Sequence, residues 1–81
     1  MTAEPVFTRR QREVAALLSA GCTVEQIGRR LSISPRTARA HVDVLKKKLE
    51  VERSRDIPVE FQKRTGVNPI SLALLILDPR G

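Results

Sequence analysis

Aromatic residues are nearly absent from this chain of 81 residues, which has two phenylalanines and neither tryptophan nor tyrosine. A hydrophobic core must therefore come from Leu, Ile, Val and Ala, and we interpret that composition as favouring packed helices over a sheet. A chain of this length forms one small domain, and folding buries only somewhat over ~60% of its unfolded surface. The composition predicts an all-α fold of marginal stability.

Residues that usually carry chemistry are also scarce. One cysteine excludes an internal disulfide bond, and one histidine leaves no group of side chains with metal-binding spacing. The sequence shows no carboxylate pair, no nucleophile beside a base and no glycine-rich phosphate loop. We therefore predict that the chain is not an enzyme and holds neither a metal nor a cofactor.

Long apolar runs are missing as well. The N-terminus lacks the basic start and apolar run of a signal peptide. The apolar residues 70–77 are too few to span a bilayer. These absences predict a cytoplasmic protein with no membrane partner.

Basic residues, in contrast, are plentiful and unevenly placed. Seven of them lie between Arg29 and Lys48, where Asp43 is the one acidic residue, so this stretch carries a surplus of six positive charges. That surplus equals the net charge of the whole chain. A concentrated positive charge favours association with polyanions, and nucleic acid is the first candidate. A solvated face that keeps the chain soluble would have the same charge, so the alternative stays open at this point.

The stretch of residues 23–49 predicts a short helix, a tight turn and a longer helix. Thr23 and Gln26 have capping-box spacing at the start of the short helix. Ser34 followed by Pro35 is a typical start for the longer one, because serine caps well and proline lacks an N–H that would be unpaired there. Gly28 suits a close approach between the two helix backbones of the motif.

The longer helix, residues 35–49, is predicted to be amphipathic. Its apolar residues follow one another at spacings of four, three and four: Ala38, Val42, Leu45 and Leu49. The opposite face carries Arg36, Ala40, Asp43 and Lys47, with Arg39 and Lys46 on its flank. One side should therefore be buried and the other mainly basic in water, which is the layout of a helix-turn-helix motif.

Two further helices are expected around this motif. The first should begin after Thr8, which has capping-box spacing with Gln11, and end at Gly21. The fourth should cover about residues 57–65, with Asp56 as its cap. Residues 7–66 would then form a small helix-turn-helix bundle of four helices, preceded by a flexible arm at residues 1–6.

Residues 67–81 form an apolar C-terminal extension. Asn68 and Pro69 predict a helix start, and residues 70–77 are apolar on nearly every side, so this segment must be buried somewhere. It could fold back onto its own domain. We favour packing against a second copy through Ile70, Leu74 and Leu77, because so small a core offers little surface to cover it.

At this point the residues resemble the DNA-binding domain of the LuxR family, also called the GerE-type helix-turn-helix. The family pattern opens Leu-Thr-x-Arg-Glu-x-Glu-Val, and residues 7–14 read Phe-Thr-Arg-Arg-Gln-Arg-Glu-Val. The pattern continues through Leu17, Leu18, Gly21, a Glu-Ile pair that reads Gln26-Ile27 here, Leu31, Ile33, Ser34, Thr37, His41, Val42, Lys48, Leu49, Val51 and Arg53. The likeness covers residues 7–55 without a gap and is closest to stand-alone members of the family. Gln26, Gly28 and Asp43 depart from it, and Pro58 interrupts the helix through which many relatives dimerise.

The resemblance implies a bacterial transcription regulator that binds double-stranded DNA with its third helix in the major groove. Thr37 would contact phosphate, and Arg39, Ala40 and Asp43 would face base edges. By its own chemistry Arg39 suits guanine and Ala40 suits a thymine methyl group. The full predicted set of DNA contacts is Thr23, Ser34, Arg36, Thr37, Arg39, Ala40, Asp43, Lys46 and Lys47.

One domain of this size makes few base contacts, so we expect a homodimer on two half-sites about one DNA turn apart. Such a protein would be associated with the nucleoid. RNA polymerase or another regulator is a further candidate partner. Two alternatives remain. The chain could be a region-4-like module of a sigma factor, or a protein-binding adaptor that uses its apolar tail.

Overall fold

The computed structural model describes residues 6–77 and contains five α-helices within them. The helices are α1 (Arg9–Ser19), α2 (Val24–Leu31), α3 (Pro35–Leu49), α4 (Ile57–Thr65) and α5 (Pro69–Leu77), with one 3-10 turn at Ser54–Asp56. No strand occurs in that range, so the predicted all-α class is confirmed. Residues 1–5 of the predicted arm and 78–81 of the extension lie outside the described residues.

Both predicted capping boxes are present. The Thr8 hydroxyl accepts from the Gln11 N–H at 3.1 Å, and the Thr8 N–H donates to the Gln11 side chain at 3.0 Å. The same reciprocal pair joins Thr23 and Gln26, at 3.2 and 2.8 Å. Each box pairs two N–H groups that a helix start would otherwise leave without a partner. Local sequence therefore determines where α1 and α2 begin.

Gly28 lets the turn between α2 and α3 pack tightly against α2. A Cβ atom at this position would lie 2.8 Å from the carbonyl oxygen of Ile33. The Ile33 N–H donates to the Gly28 carbonyl at 2.9 Å. A close backbone approach at Gly28 is confirmed, but it is made with the turn and the first residue of α3, so it joins α2 to the turn that leads into α3.

One core cluster holds the helices together. The apolar stripe of α3 is buried, as predicted: Ala38, Val42, Leu45 and Leu49 are at most 3% exposed. It packs with Val14 and Leu17 of α1, Ile27 of α2, and Ile57 and Phe61 of α4. The buried side of α3 is therefore clamped by three neighbouring helices.

Lys48 ties the end of α3 to the start of α1. Its Nζ donates to the Val6 carbonyl at 2.6 Å and to the Gln11 Oε1 at 3.0 Å, and lies 5.5 Å from the centre of the Phe7 ring. Phe7 is itself buried against Phe61, with ring centres 5.1 Å apart. Lys48 therefore has a structural role, although the charge count included it with the basic residues between Arg29 and Lys48.

The prediction that Asp56 caps α4 is wrong. The chain enters α4 through the 3-10 turn with Asp56 already in a right-handed helical conformation, and its side chain makes no capping hydrogen bond. The N–H groups of Asp56 and Ile57 donate instead to the carbonyls of Arg53 and Ser54. A capping side chain would accept from the second or third N–H of the helix, and the second residue, Pro58, has none.

Helix α5 packs along α1 of the same chain. The Asn68 side chain accepts from the Ile70 N–H at 3.0 Å, as its predicted capping role requires. Ala73 is buried, while Leu72, Ile76 and Leu77 pack partly buried against the core. This side of the segment therefore folds back onto its own domain, which was one of the two alternatives, and Leu77 packs against its own core. The opposite face leaves Ile70, Leu74 and Leu75 exposed. None of the described helices is long and apolar enough to cross a membrane.

Candidate nucleic-acid interface

The outward side of α3 is open to solvent along its length. Eight of the nine predicted contact residues are exposed: Thr23, Ser34, Arg36, Thr37, Arg39, Ala40, Asp43 and Lys47. The ninth, Lys46, is half-buried. Seven of the nine lie on α3, so the helix that buries the apolar stripe also presents one continuous, mainly basic face. We call this surface, Arg36 to Lys47 on the outward side of α3, the basic face.

Ser34 and Thr37 form a small hydrogen-bonded unit at the start of α3. The Ser34 hydroxyl accepts from the Thr37 N–H at 3.1 Å and donates to the Thr37 hydroxyl oxygen at 3.0 Å. Because that oxygen already accepts, the Thr37 hydroxyl proton is left to donate outward, for example to a phosphate oxygen. The capping bond also holds Thr37 in one position relative to the helix start.

Few backbone N–H groups at the starts of α2 and α3 remain to bind a ligand, although these residues are exposed. Capping pairs the N–H groups of Thr23, Gln26 and Thr37 within the chain, and Pro35 has none. Polar side chains, more than these amides, therefore supply the donors at this end of the surface.

Asp43 interrupts the positive charge of the basic face. Its carboxylate lies 3.8 Å from the Lys46 Nζ, and the two side chains are 59% and 30% exposed. An exposed ion pair at this distance contributes little to stability because water screens it. The carboxylate is therefore open to a donor on a ligand.

Two features of the surface were not predicted. Val44 is 40% exposed, and lies one helical turn after Ala40, so the outward side of α3 includes an apolar flank. The sequence could have indicated this, because Val44 is four residues after Ala40 and so lies on the same side of the helix.

The second feature is a pair of arginines on α2. Arg29 and Arg30 are exposed there beside an open groove of about 560 Å³, which is also lined by Ala20, Gly21, Cys22 and Gln26. They add exposed positive charge on α2, which the charge count had included without assigning a site.

No group of three His, Cys, Asp or Glu side chains in residues 6–77 is arranged to hold a metal ion. The chemistry available at the surface is hydrogen bonding and charge, from arginine, lysine, hydroxyl and one carboxylate. Such a surface suits recognition of a polyanion.

Helix α2, the tight turn closed by Gly28 and Ile33, and the half-basic α3 define a helix-turn-helix domain. The chain matches the model of the bacterial regulatory proteins of the luxR family over residues 5–59. It therefore belongs to the luxR family, as its residues predicted, and this supports the class of DNA-binding regulatory domains. Helix α5 lies beyond the end of that match.

One relative with a curated description comes from Escherichia coli (strain K12) and is named "Putative HTH-type transcriptional regulator YhjB". The two are 46% identical over 46 residues, which are 57% of this chain and 23% of the relative. The chain thus spans about a quarter of the length of the relative that it matches. No solved structure matches the chain.

Proposed function

We propose that this chain binds double-stranded DNA sequence-specifically as a transcription regulator, with α3 in the major groove. The observation that supports this most strongly is the division of α3, whose apolar side is buried by three helices while its basic face is open. A major groove about 12 Å wide admits an α-helix, and a helix held on one side can present the other as a rigid unit. The family membership supports the same function.

The residues of the basic face would divide into two roles. Arg39 makes a bidentate contact with guanine O6 and N7, and Ala40 meets a thymine methyl group, to which the neighbouring Val44 adds apolar surface. The phosphate contacts come from Thr23, Ser34, Arg36, Thr37, Lys46 and Lys47. Asp43 faces a base edge. We expect a protein that binds DNA in this way to act in the cytoplasm, at the nucleoid.

We further propose that the DNA-bound form is a symmetric homodimer, in which the exposed face of α5 meets the same face of a second copy. Helix α5 carries no charged residue, so a contact between two copies of it brings no like charges of α5 together, although each chain has a net charge of +6. Ile70 and Leu74 would be central, and Leu77, which packs on its own core, would lie at the edge. Half-sites would then lie about 34 Å apart.

Sedimentation of the wild type and of Leu74→Glu, with and without a two-half-site duplex, tests this arrangement. We expect a dimer of the wild type on the duplex and a monomer of the variant, because a buried carboxylate opposes association. Dimers of equal strength in both would contradict the α5 contact while leaving DNA binding untouched.

The exposed leucines favour a second candidate function, a protein-binding adaptor. Leu74 and Leu75 are 67% and 74% exposed, beside a groove of about 210 Å³ between α1 and α5. In this case the apolar surface would be the functional one, and a regulator or RNA polymerase would be its partner. DNA binding separates the two candidates.

Selection of bound duplexes from a random pool is the decisive experiment. A DNA-binding regulator enriches a short motif, repeated in inverted orientation if the protein is a dimer. Absence of any enriched motif at physiological salt, together with a stable protein complex, would reject the proposal and select the adaptor.

A further inference from the structure

Asp43 is the one acidic residue among the seven basic residues from Arg29 to Lys48. Its side chain is 59% exposed on the same outward side as Arg36, Ala40 and Lys47. A carboxylate in this place repels DNA phosphates, and so lowers the affinity for every duplex on which it finds no donor.

The fold does not explain this carboxylate. Its ion pair with Lys46 is long and exposed, and aspartate is a poor residue for the interior of a helix. Asp43 is not one of the buried core residues, which α3 contributes from its opposite side through residues such as Val42 and Leu45. Its effect must therefore be sought in what α3 binds.

The major-groove edges of the four bases respond differently to a carboxylate. Guanine and thymine present acceptors, which repel it. Adenine presents the N6 donor beside the N7 acceptor, so attraction and repulsion oppose each other. Cytosine itself presents only the N4 amino donor, because the O6 and N7 acceptors of that pair belong to the guanine opposite. A carboxylate held in the groove thus favours cytosine.

We propose that Asp43 is a specificity-determining residue that selects a cytosine and weakens binding to sequences that lack it. The inference rests on the proposed function, since it requires α3 to lie in the major groove. Arg39 lies one helical turn earlier, about 6 Å along the axis, whereas successive base pairs are about 3.4 Å apart. The half-site therefore contains a guanine and a cytosine, on either strand, within two base-pair steps.

Three proteins test the proposal: the wild type, Asp43→Asn and Glu52→Gln. Each is bound to the selected half-site, to its three variants at the cytosine position, and to unrelated duplex. Asparagine keeps the shape, removes the charge and prefers adenine. Glu52 is exposed and lies after the end of α3, so Glu52→Gln removes the same charge outside the basic face. Unfolding curves of the three proteins should superimpose, because both substitutions are at exposed positions.

For Asp43→Asn we expect affinity for unrelated duplex to rise about threefold, as a repelling charge is removed. The ratio of specific to unrelated binding should fall about tenfold, and the preference should move from cytosine to adenine. Glu52→Gln should leave the base preference unchanged.

A retained cytosine preference in Asp43→Asn, or an equal change in Glu52→Gln, would overturn the role of Asp43. So would a wild type that binds duplex without any preference for cytosine. Failure of the wild type to bind duplex at all would instead overturn the proposed function, and this inference with it.

Discussion

Helices α3 and α5 both bury one side within the chain, and they differ in what they leave in water. The outward side of α3 carries mainly charged and polar residues, whereas that of α5 carries Ile70, Leu74 and Leu75. Solvated charges need no partner for stability, but exposed leucines retain an unfavourable contact with water. The first surface therefore suits a polyanion, and the second suits another protein surface.

Truncating one leucine in each helix should show the difference most clearly, through the free energy of unfolding. Leu45 of α3 is fully buried, so Leu45→Ala should lower the free energy of unfolding by about 3 kcal/mol through lost packing and a cavity. Leu74 of α5 is 67% exposed, so Leu74→Ala should change it by less than about 0.5 kcal/mol. Urea titration at low protein concentration, where association is negligible, gives both values. Equal losses would show that the two helices are not divided as described.

Within the basic face, Arg39→Ala and Lys47→Ala separate base reading from phosphate binding. Loss of Arg39 should remove about 1–3 kcal/mol of discrimination at one base pair. Loss of Lys47 should weaken binding to all sequences and lower the salt slope by about one. Titrations of variant duplexes at several salt concentrations measure both. The same loss on every sequence from both changes would refute these roles.

Gly28 packs against the turn that positions α3. Whether Gly28→Ala raises or lowers the stability therefore tests how tight that turn is. Helix propensity alone would make Gly28→Ala stabilising by about 1 kcal/mol. The added Cβ would meet the Ile33 carbonyl at 2.8 Å, so we expect a net loss of about 1–2 kcal/mol. Thermal unfolding measures it, with Arg29→Ala as the exposed control on the same helix. A more stable Gly28→Ala would contradict the tight turn.

Neighbouring lysines at the end of α3 give the smallest effect. Lys48→Ala should cost about 1 kcal/mol of stability, because it removes two hydrogen bonds and the contact with the Phe7 ring. Lys47→Ala should leave stability unchanged, since Lys47 is exposed. Chemical unfolding of the two variants checks this contrast. If Lys47→Ala lost stability and Lys48→Ala did not, the structural role would belong to Lys47 instead.

Local patterns were sufficient for much of this fold. Thr8 with Gln11 and Thr23 with Gln26 are pairs three residues apart, so their capping boxes could be predicted from sequence alone. The stripe of α3 was predicted for the same reason, because four apolar residues at helical spacing define one side of a helix.

Features that depend on distant parts of the chain could not be predicted. Lys48 reaches Val6 and Gln11, 42 and 37 residues away, and no local pattern announces such contacts. Helix α5 is apolar on nearly every side, so its sequence gives little indication of which side faces α1. Asp56 failed as a cap because the preceding backbone is already helical, which depends on the whole turn and not on one residue.

The central claim is that the outward side of α3 binds duplex bases while its inner side stays clamped. Amide chemical shifts of the full chain, recorded while a selected duplex is added, test it most directly. We predict the largest changes at Arg39, Ala40 and Asp43. If those amides do not move while the duplex is bound, or if changes occur at α5 alone, the claim is contradicted.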